Sequence, residues 1–185
     1  MILVFLGPPG SGKGTQAKIM AERLGVPHIS LGDMLREEVR KGTGIGKRAK
    51  EIMEAGRLVP DELTIELTRQ RVGAPDCGKG FIIDGFPRSG VQAAAFDRLL
   101  AEKKLKLDRA VYFRVEEEEV VKRLLLRAKL EGRADDSEEV IRTRFEVYEK
   151  QTRPLIEHYA GMGKLAEIDA AQTIDQVFQQ LLKIL

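Results

Sequence analysis

The sequence predicts an α/β fold in three layers, with a central, mainly parallel five-stranded sheet flanked by helices. Three observations carry that prediction. Short apolar runs bounded by turn residues alternate along all 185 residues with segments of helical periodicity, the pattern of βαβ units. The first run, ILVFL at 2–6, has no polar alternation, as suits a strand buried on both faces. It leads into a glycine-rich loop that opens a helix, which gives the order strand, loop, helix.

Each element follows from local signals. Ala17, Met20, Ala21 and Leu24 fall at i, i+3, i+4 and i+7, and Gly25 supplies a helix stop. PHIS at 27–30 is a short strand. Residues 33–41 and 45–55 read as two helices ended by Gly42 and Gly56. Pro60 suits the first helical position of a helix over 60–72, with Asp61 and Glu62 favourably placed in its first turn. GFIID at 80–84 is a strand, 89–103 a helix, and RAVYFRV at 109–115 a strand. Over 117–131, Val120, Val121, Leu124 and Leu125 share one helical face.

Asp136, with Glu139 three residues on, is the expected cap of the following helix. Pro154 is expected to break or bend that helix near 153. KLAEID at 164–169 is the last strand, and TIDQ at 173–176 has capping-box spacing for the final helix. No repeat, low-complexity tract or linker divides the chain, so one domain over 1–185 is expected.

Lys plus Arg is 31 and Asp plus Glu is 29, a net charge of +2. That balance gives no reason to expect nucleic acid or a membrane surface as partner. A lone cysteine, Cys77, rules out an internal disulfide and a Cys-rich zinc site. The opening MILVFL has no basic leader and is too short for a signal peptide or membrane span. A cytoplasmic protein is expected. His28 and His158 share no metal-ligand spacing and read as structural or exposed histidines. The acidic run Glu116 to Glu119 is explained by the dipole of the helix it opens.

The loop GPPGSGKGTQ (7–16) carries the chemistry. A glycine-rich turn between strand and helix points successive backbone N–H groups inward, and the helix N-terminus adds partial positive charge. Gly7, Gly10, Gly12 and Gly14 let the backbone approach phosphate oxygens, and Lys13 reaches the outer phosphates. The general phosphate-loop pattern places Ser or Thr directly after the lysine. Here Gly14 intervenes and Thr15 follows. Asp84 ends a parallel strand beside the loop, where a carboxylate organises Mg²⁺ and its waters. Arg88 offers a planar fork suited to phosphate.

The loop, together with ISLGDMLR (29–36), AGRLVPDE (55–62), DGFPRSGVQ (84–92) and GRADDSEEVIRTR (132–144), resembles the nucleoside monophosphate kinases, and the adenylate kinase family in particular. The stretches come in that family's order and the resemblance spans the chain. It implies a P-loop kinase catalysing Mg-dependent ATP + AMP ⇌ 2 ADP, with ATP, AMP and ADP as its small-molecule partners, working as a monomer. Residues 30–59 are then the insertion that closes over AMP. Residues 127–133 are a short lid, without the longer insertion that some family members use to hold zinc.

The resemblance also implies residue roles. ATP is held by Gly10, Ser11, Gly12, Lys13, Gly14, Thr15, Arg123, Arg127 and Gln172. AMP is held by Leu31, Arg36, Arg57, Leu58 and Val59, by Gly85, Phe86, Pro87 and Arg88, and by Arg133 and Arg144, with Gln92 reading its base. Lys13, Asp84, Arg88, Arg123, Arg133 and Arg144 carry catalysis. No metal ligand is direct: Mg²⁺ is held through ATP phosphates and water near Asp84. Asp135 and Asp136 are placed to orient the arginines, among which Arg142 is also a candidate. The family commonly has threonine at position 31, so Leu31 replaces a hydroxyl near the nucleotide by an apolar side chain. A UMP/CMP-type kinase, a nucleotide-dependent switch and a small-metabolite kinase are the alternatives. Gln92 favours adenine, because an amide can both donate and accept.

Overall fold

A computed structural model describes residues 1–131 and 134–185. Its sheet has the order β2-β3-β1-β4-β5, every neighbouring pair parallel. The strands are β1 (Ile2–Leu6), β2 (His28–Ser30), β3 (Phe81–Asp84), β4 (Arg109–Arg114) and β5 (Leu165–Asp169). β1 lies at the centre, with β2 and β3 to one side and β4 and β5 to the other. Connections that leave a central strand in opposite directions open a crevice at the carboxyl ends of the strands. Phe5 pairs in register with Asp84, which brings the end of β3 beside the loop after β1.

Period-two alternation sorts β1 between two cores. Ile2, Val4 and Leu6 face one side with Ile29, Phe81 and Ile83. Leu3 and Phe5 face the other with Ile82, Val111 and Phe113. The first core is covered by α2 (Leu31–Lys41), α3 (Gly44–Glu54), α4 (Asp61–Val72), α5 (Gly90–Glu102) and, through Leu155 and Tyr159, α8 (Leu155–Gly161). The second is covered by α1 (Lys13–Leu24) and α9 (Ile174–Ile184). A third cluster joins α6 (Glu117–Glu131) to α7 (Glu138–Val147) through Val120, Leu124, Ile141 and Phe145.

The local signals operate largely as expected. Gly25 and Gly42 end α1 and α2 in the left-handed region, at φ 65° and 64°. Thr173 and Gln176 form the capping box of α9. Two expectations shift. Pro60 is the N-cap of α4, with an extended ψ of 140°, and the helix begins at Asp61. Asp136 does not cap α7. Ser137 takes that position, because Asp136 sits in a short 3₁₀ turn, fully buried against arginines. Before Pro154 the chain widens into a π turn over Tyr148–Thr152, then resumes as α8. Among the described residues, no helix is long and apolar enough to cross a membrane.

Candidate functional site

The crevice at the strand ends is a cleft of about 660 Å³. The phosphate loop forms its floor. Gly12 precedes α1 at φ 88°, in the left-handed region, and carries no side chain that could occupy the first N–H groups of the helix. An added Cβ there would meet nothing within 4 Å, so the approach to those donors is open. Gly10 serves the opposite need: a Cβ would lie 2.8 Å from Leu124 Cγ. The loop therefore packs its back against α6 and turns its donors outward.

Lys13 folds over the loop. Its Nζ donates to the carbonyls of Gly7 and Pro8, both at 2.7 Å, and to Ser11 Oγ at 3.0 Å. Burial pushes its pKa down to about 7. The charge of Asp84 opposes that fall, and Arg88, Arg144 and Arg127 reinforce it. One lysine thus feels an acid from β3 and three arginines from distant segments. The charges expected at the two ends of a phosphate chain are gathered in one place.

Asp84 ends β3 beside α1. Its Oδ2 contacts Nε2 of His28 on the neighbouring strand β2, two positions before its register partner Ser30 and so on the same face of the sheet. The sequence reading gave His28 no role at the site. The only signal was that a residue on a strand beside β3 could point the same way, and pairing partners cannot be read from one sequence. An ideal Cβ on Gly14 would lie 3.9 Å from Asp84 Oδ2, so the glycine leaves a gap of ordinary contact width beside the carboxylate. Among the described residues no cluster of three or more acidic, His or Cys side chains is placed to cage a metal ion. A lone strand-end carboxylate fits Mg²⁺, which keeps waters and binds through one or two carboxylates plus substrate phosphates.

The arginines hang on a network of acids and carbonyls. Arg127 grips Asp136 through both carboxylate oxygens, at 2.6 and 2.8 Å. Arg144 donates to Asp136 Oδ1 at 2.5 Å and to the Asp135 carbonyl at 2.9 Å. Burial lowers the Arg144 pKa to about 10, with Asp135 and Asp136 pulling the other way. Arg123 donates to Glu119 at 2.8 Å and to the Ala170 carbonyl at 2.9 Å, which ties α6 to the end of β5. Arg142 is exposed and pairs with Glu138 at 3.0 Å, outside the cleft. Arg133 lies outside the described residues.

On the other flank, Arg88 Nε donates to the Gly85 carbonyl at 2.7 Å, and Thr152 Oγ1 donates to the Arg88 carbonyl at 2.9 Å. Arg36 Nη2 donates to Asp33 Oδ1 at 2.5 Å. Burial works to raise the Asp33 carboxyl, but the Arg36 hydrogen bond and charge outweigh it and hold it below its ordinary value. Leu31, Arg57, Leu58, Val59, Gly85 and Pro87 border the same flank. Phe86, by contrast, turns into the core and packs edge-on to Phe96 at 5.8 Å. Gln92 borders the cleft with its amide engaged within the protein. On the loop side, Ser11, Thr15 and Gln172 line the opening, with Gln172 Nε2 donating to Asp169 at 3.0 Å.

The two flanks touch at Gly56. Its φ is +71°, and an added Cβ would lie 2.9 Å from Val140 Cγ1 and 3.0 Å from Arg144 Cγ. Gly56→Ala therefore combines left-handed backbone strain with a steric push on Arg144. The expected outcome is a loss of about 1–3 kcal/mol in urea unfolding, together with a lowered kcat in steady-state assays.

Comparison with known proteins agrees across the chain. A sequence model of the adenylate kinase family matches residues 5–164. An adenylate kinase of Sinorhizobium medicae is 48% identical over 191 aligned positions covering all of both chains. One from Archaeoglobus fulgidus is 45% identical over 212 positions, covering all of this chain and 98% of the relative. One from Thermobifida fusca is 46% identical over 185 positions, covering all of this chain and 98% of the relative.

Proposed function

This chain belongs to the adenylate kinase family, and from that premise we propose how its own residues carry out the family's reaction. The activity is reversible phosphoryl transfer, ATP + AMP ⇌ 2 ADP. The observation that carries the assignment of roles is the convergence of Lys13, Asp84, Arg88, Arg127 and Arg144 in one cleft, close enough for their charges to act on one lysine.

Lys13 and the backbone N–H groups of residues 10–15 bind the ATP phosphates at the start of α1. Arg123 and Gln172 bound the donor side. Arg36 and Arg88 hold the AMP phosphate, and Gln92 with residues 57–59 holds its base. The two phosphates are then aligned for in-line transfer with no phospho-enzyme. Negative charge spreads over the oxygens of the moving group, and preplaced cations stabilise it more effectively than water. Arg123 and Arg144 supply that charge, Arg127 beside them adds to it, and the resemblance adds Arg133. Mg²⁺, when bound, neutralises charge on the ATP phosphates. Asp84 would hold the ion through water, with His28 steadying the carboxylate.

Segments 30–59 and 127–133 are proposed to close over the two nucleotides and exclude water that would otherwise hydrolyse ATP. The approach of Gly56 to Val140 and Arg144 sets the 30–59 segment against α7, the helix that follows the lid loop, and supports closure from the 30–59 side. The near-zero charge balance gives no pull toward nucleic acid or an anionic membrane and supports work on free nucleotides, and a single free cysteine suits a reducing compartment such as the cytoplasm. The test of acceptor choice is a coupled assay with AMP, UMP, CMP and GMP. The highest kcat/KM is expected with AMP, and preference for UMP or CMP would overturn the choice.

A further inference from the structure

Gln92 is 1% exposed, and its amide is held by partners that each have one hydrogen-bonding role. The Arg88 backbone N–H donates to Gln92 Oε1 at 2.7 Å, and an N–H can only donate. Gln92 Nε2 donates to Asp61 Oδ1 at 2.8 Å, and a carboxylate can only accept. Flipping the amide would set N–H against N–H and oxygen against oxygen. The second hydrogen on Nε2 goes to Thr64 Oγ1 at 3.2 Å, and the Thr64 hydroxyl donates onward to the Asp61 carbonyl at 3.0 Å. Both amide hydrogens are therefore used. What Gln92 has left is one lone pair on Oε1.

Asp61 is itself fixed. Ser89 Oγ donates to its two carboxylate oxygens at 3.1 and 3.2 Å, and Ser89 caps α5, accepting from the Gln92 backbone N–H at 3.2 Å. The first turn of α4 is thus bolted to the first turn of α5 across the polar floor of the acceptor flank.

We propose that Asp61 is a positioning residue that locks the Gln92 amide with its oxygen available, so that the site selects bases carrying an exocyclic amino group over those carrying a carbonyl there. This rests on the reading that Gln92 faces the base of AMP. An amide that offers only its oxygen pairs with the amino group of adenine and sets oxygen against oxygen at that ring position of hypoxanthine or guanine. Buried polar mismatches of this kind discriminate more strongly than the size of an apolar pocket does.

AMP and IMP make the test, because they differ only in amino against carbonyl at C6 and in the proton that this exchange places on the adjacent N1. The ratio of their kcat/KM values is measured for the parent, Asp61→Ala, Asp61→Asn and Gln92→Ala. Each ratio is taken within one protein, so a changed folded fraction cancels. Asp61→Ala is expected to reduce AMP preference by about tenfold. Asp61→Asn keeps an oxygen for Nε2 and is expected to retain most of the preference. If Asp61→Ala does not fold, Thr64→Val removes the other acceptor of Nε2 and is expected to lower the ratio in the same direction. A fall in Gln92→Ala with no change in the Asp61 and Thr64 variants overturns the role of Asp61 and leaves Gln92 facing the base. No change in Gln92→Ala overturns both.

Discussion

Lys13→Met lowers kcat by about a thousandfold at saturating nucleotide while the fold persists, on the roles assigned above. The lysine is the one cation set within the loop itself, and removing a single preplaced charge donor from a transition state typically costs 10²–10³ or more. Its loss need not unfold the chain. Lys13 packs no apolar core, and its hydrogen bonds go to its own loop.

The pH dependence of stability separates the two effects. With a folded pKa of about 7, Lys13 carries its proton in both folded and unfolded chains below pH 7, so the penalty for burying the charge is fully present there. Between about 7 and the ordinary lysine value the unfolded chain binds more protons, and the parent gains stability as pH rises. Melting temperatures at pH 6 and pH 9 should therefore move in the parent's favour relative to Lys13→Met at the higher pH. A constant difference would remove the claim that Lys13 is held in a charge-disfavouring place. Retention of full activity would remove its catalytic role.

Asp136→Ala is expected to damage both stability and rate. The carboxylate is wholly buried and, among the described residues, binds Arg127 through two bonds and Arg144 through one. Removing it takes the carboxylate from Arg127 and leaves Arg144 with Asp135, and breaking a buried ion pair costs about 3–5 kcal/mol. On the roles proposed above both arginines act on the transferring group, and displacement of about 1 Å at such a centre costs on the order of a hundredfold in rate. Asp136→Asn keeps the shape and some acceptor capacity and should fall between parent and Ala on both measures. Urea unfolding and single-turnover kinetics check the two halves separately. An Asp136→Ala variant with unaltered kcat would show that the arginines do not depend on this anchor.

Asp136 also marks the limit of what one sequence discloses. Its spacing to Glu139 reads as a helix cap, a local motif with a local function. The long-range partners that decide its place are Arg127 and Arg144, nine and eight residues away on different helices. By the same logic the strands and most helix ends were legible, because each is signalled within a few residues: Gly25, Gly42, Thr173. The phosphate loop was legible too, since strand, glycines and lysine are contiguous. His28 and Asp61 were not. His28 reaches Asp84 only through the pairing of β2 with β3. Asp61 reaches Gln92 only through the packing of α4 on α5. In the sequence the first reads as a structural or exposed histidine, and the second as a favourable charge in a first turn.

On the proposed roles, the sheet assigns the two nucleotides to separate halves of the molecule. The helices that carry Leu31, Arg36 and Gln92 rest on one core, and the helix that begins at Lys13 rests on the other. Redesign of acceptor preference can therefore repack one layer while the opposite layer, and with it the ATP grip, keeps its shape. Specificity in this scaffold is a replaceable part mounted on an invariant engine.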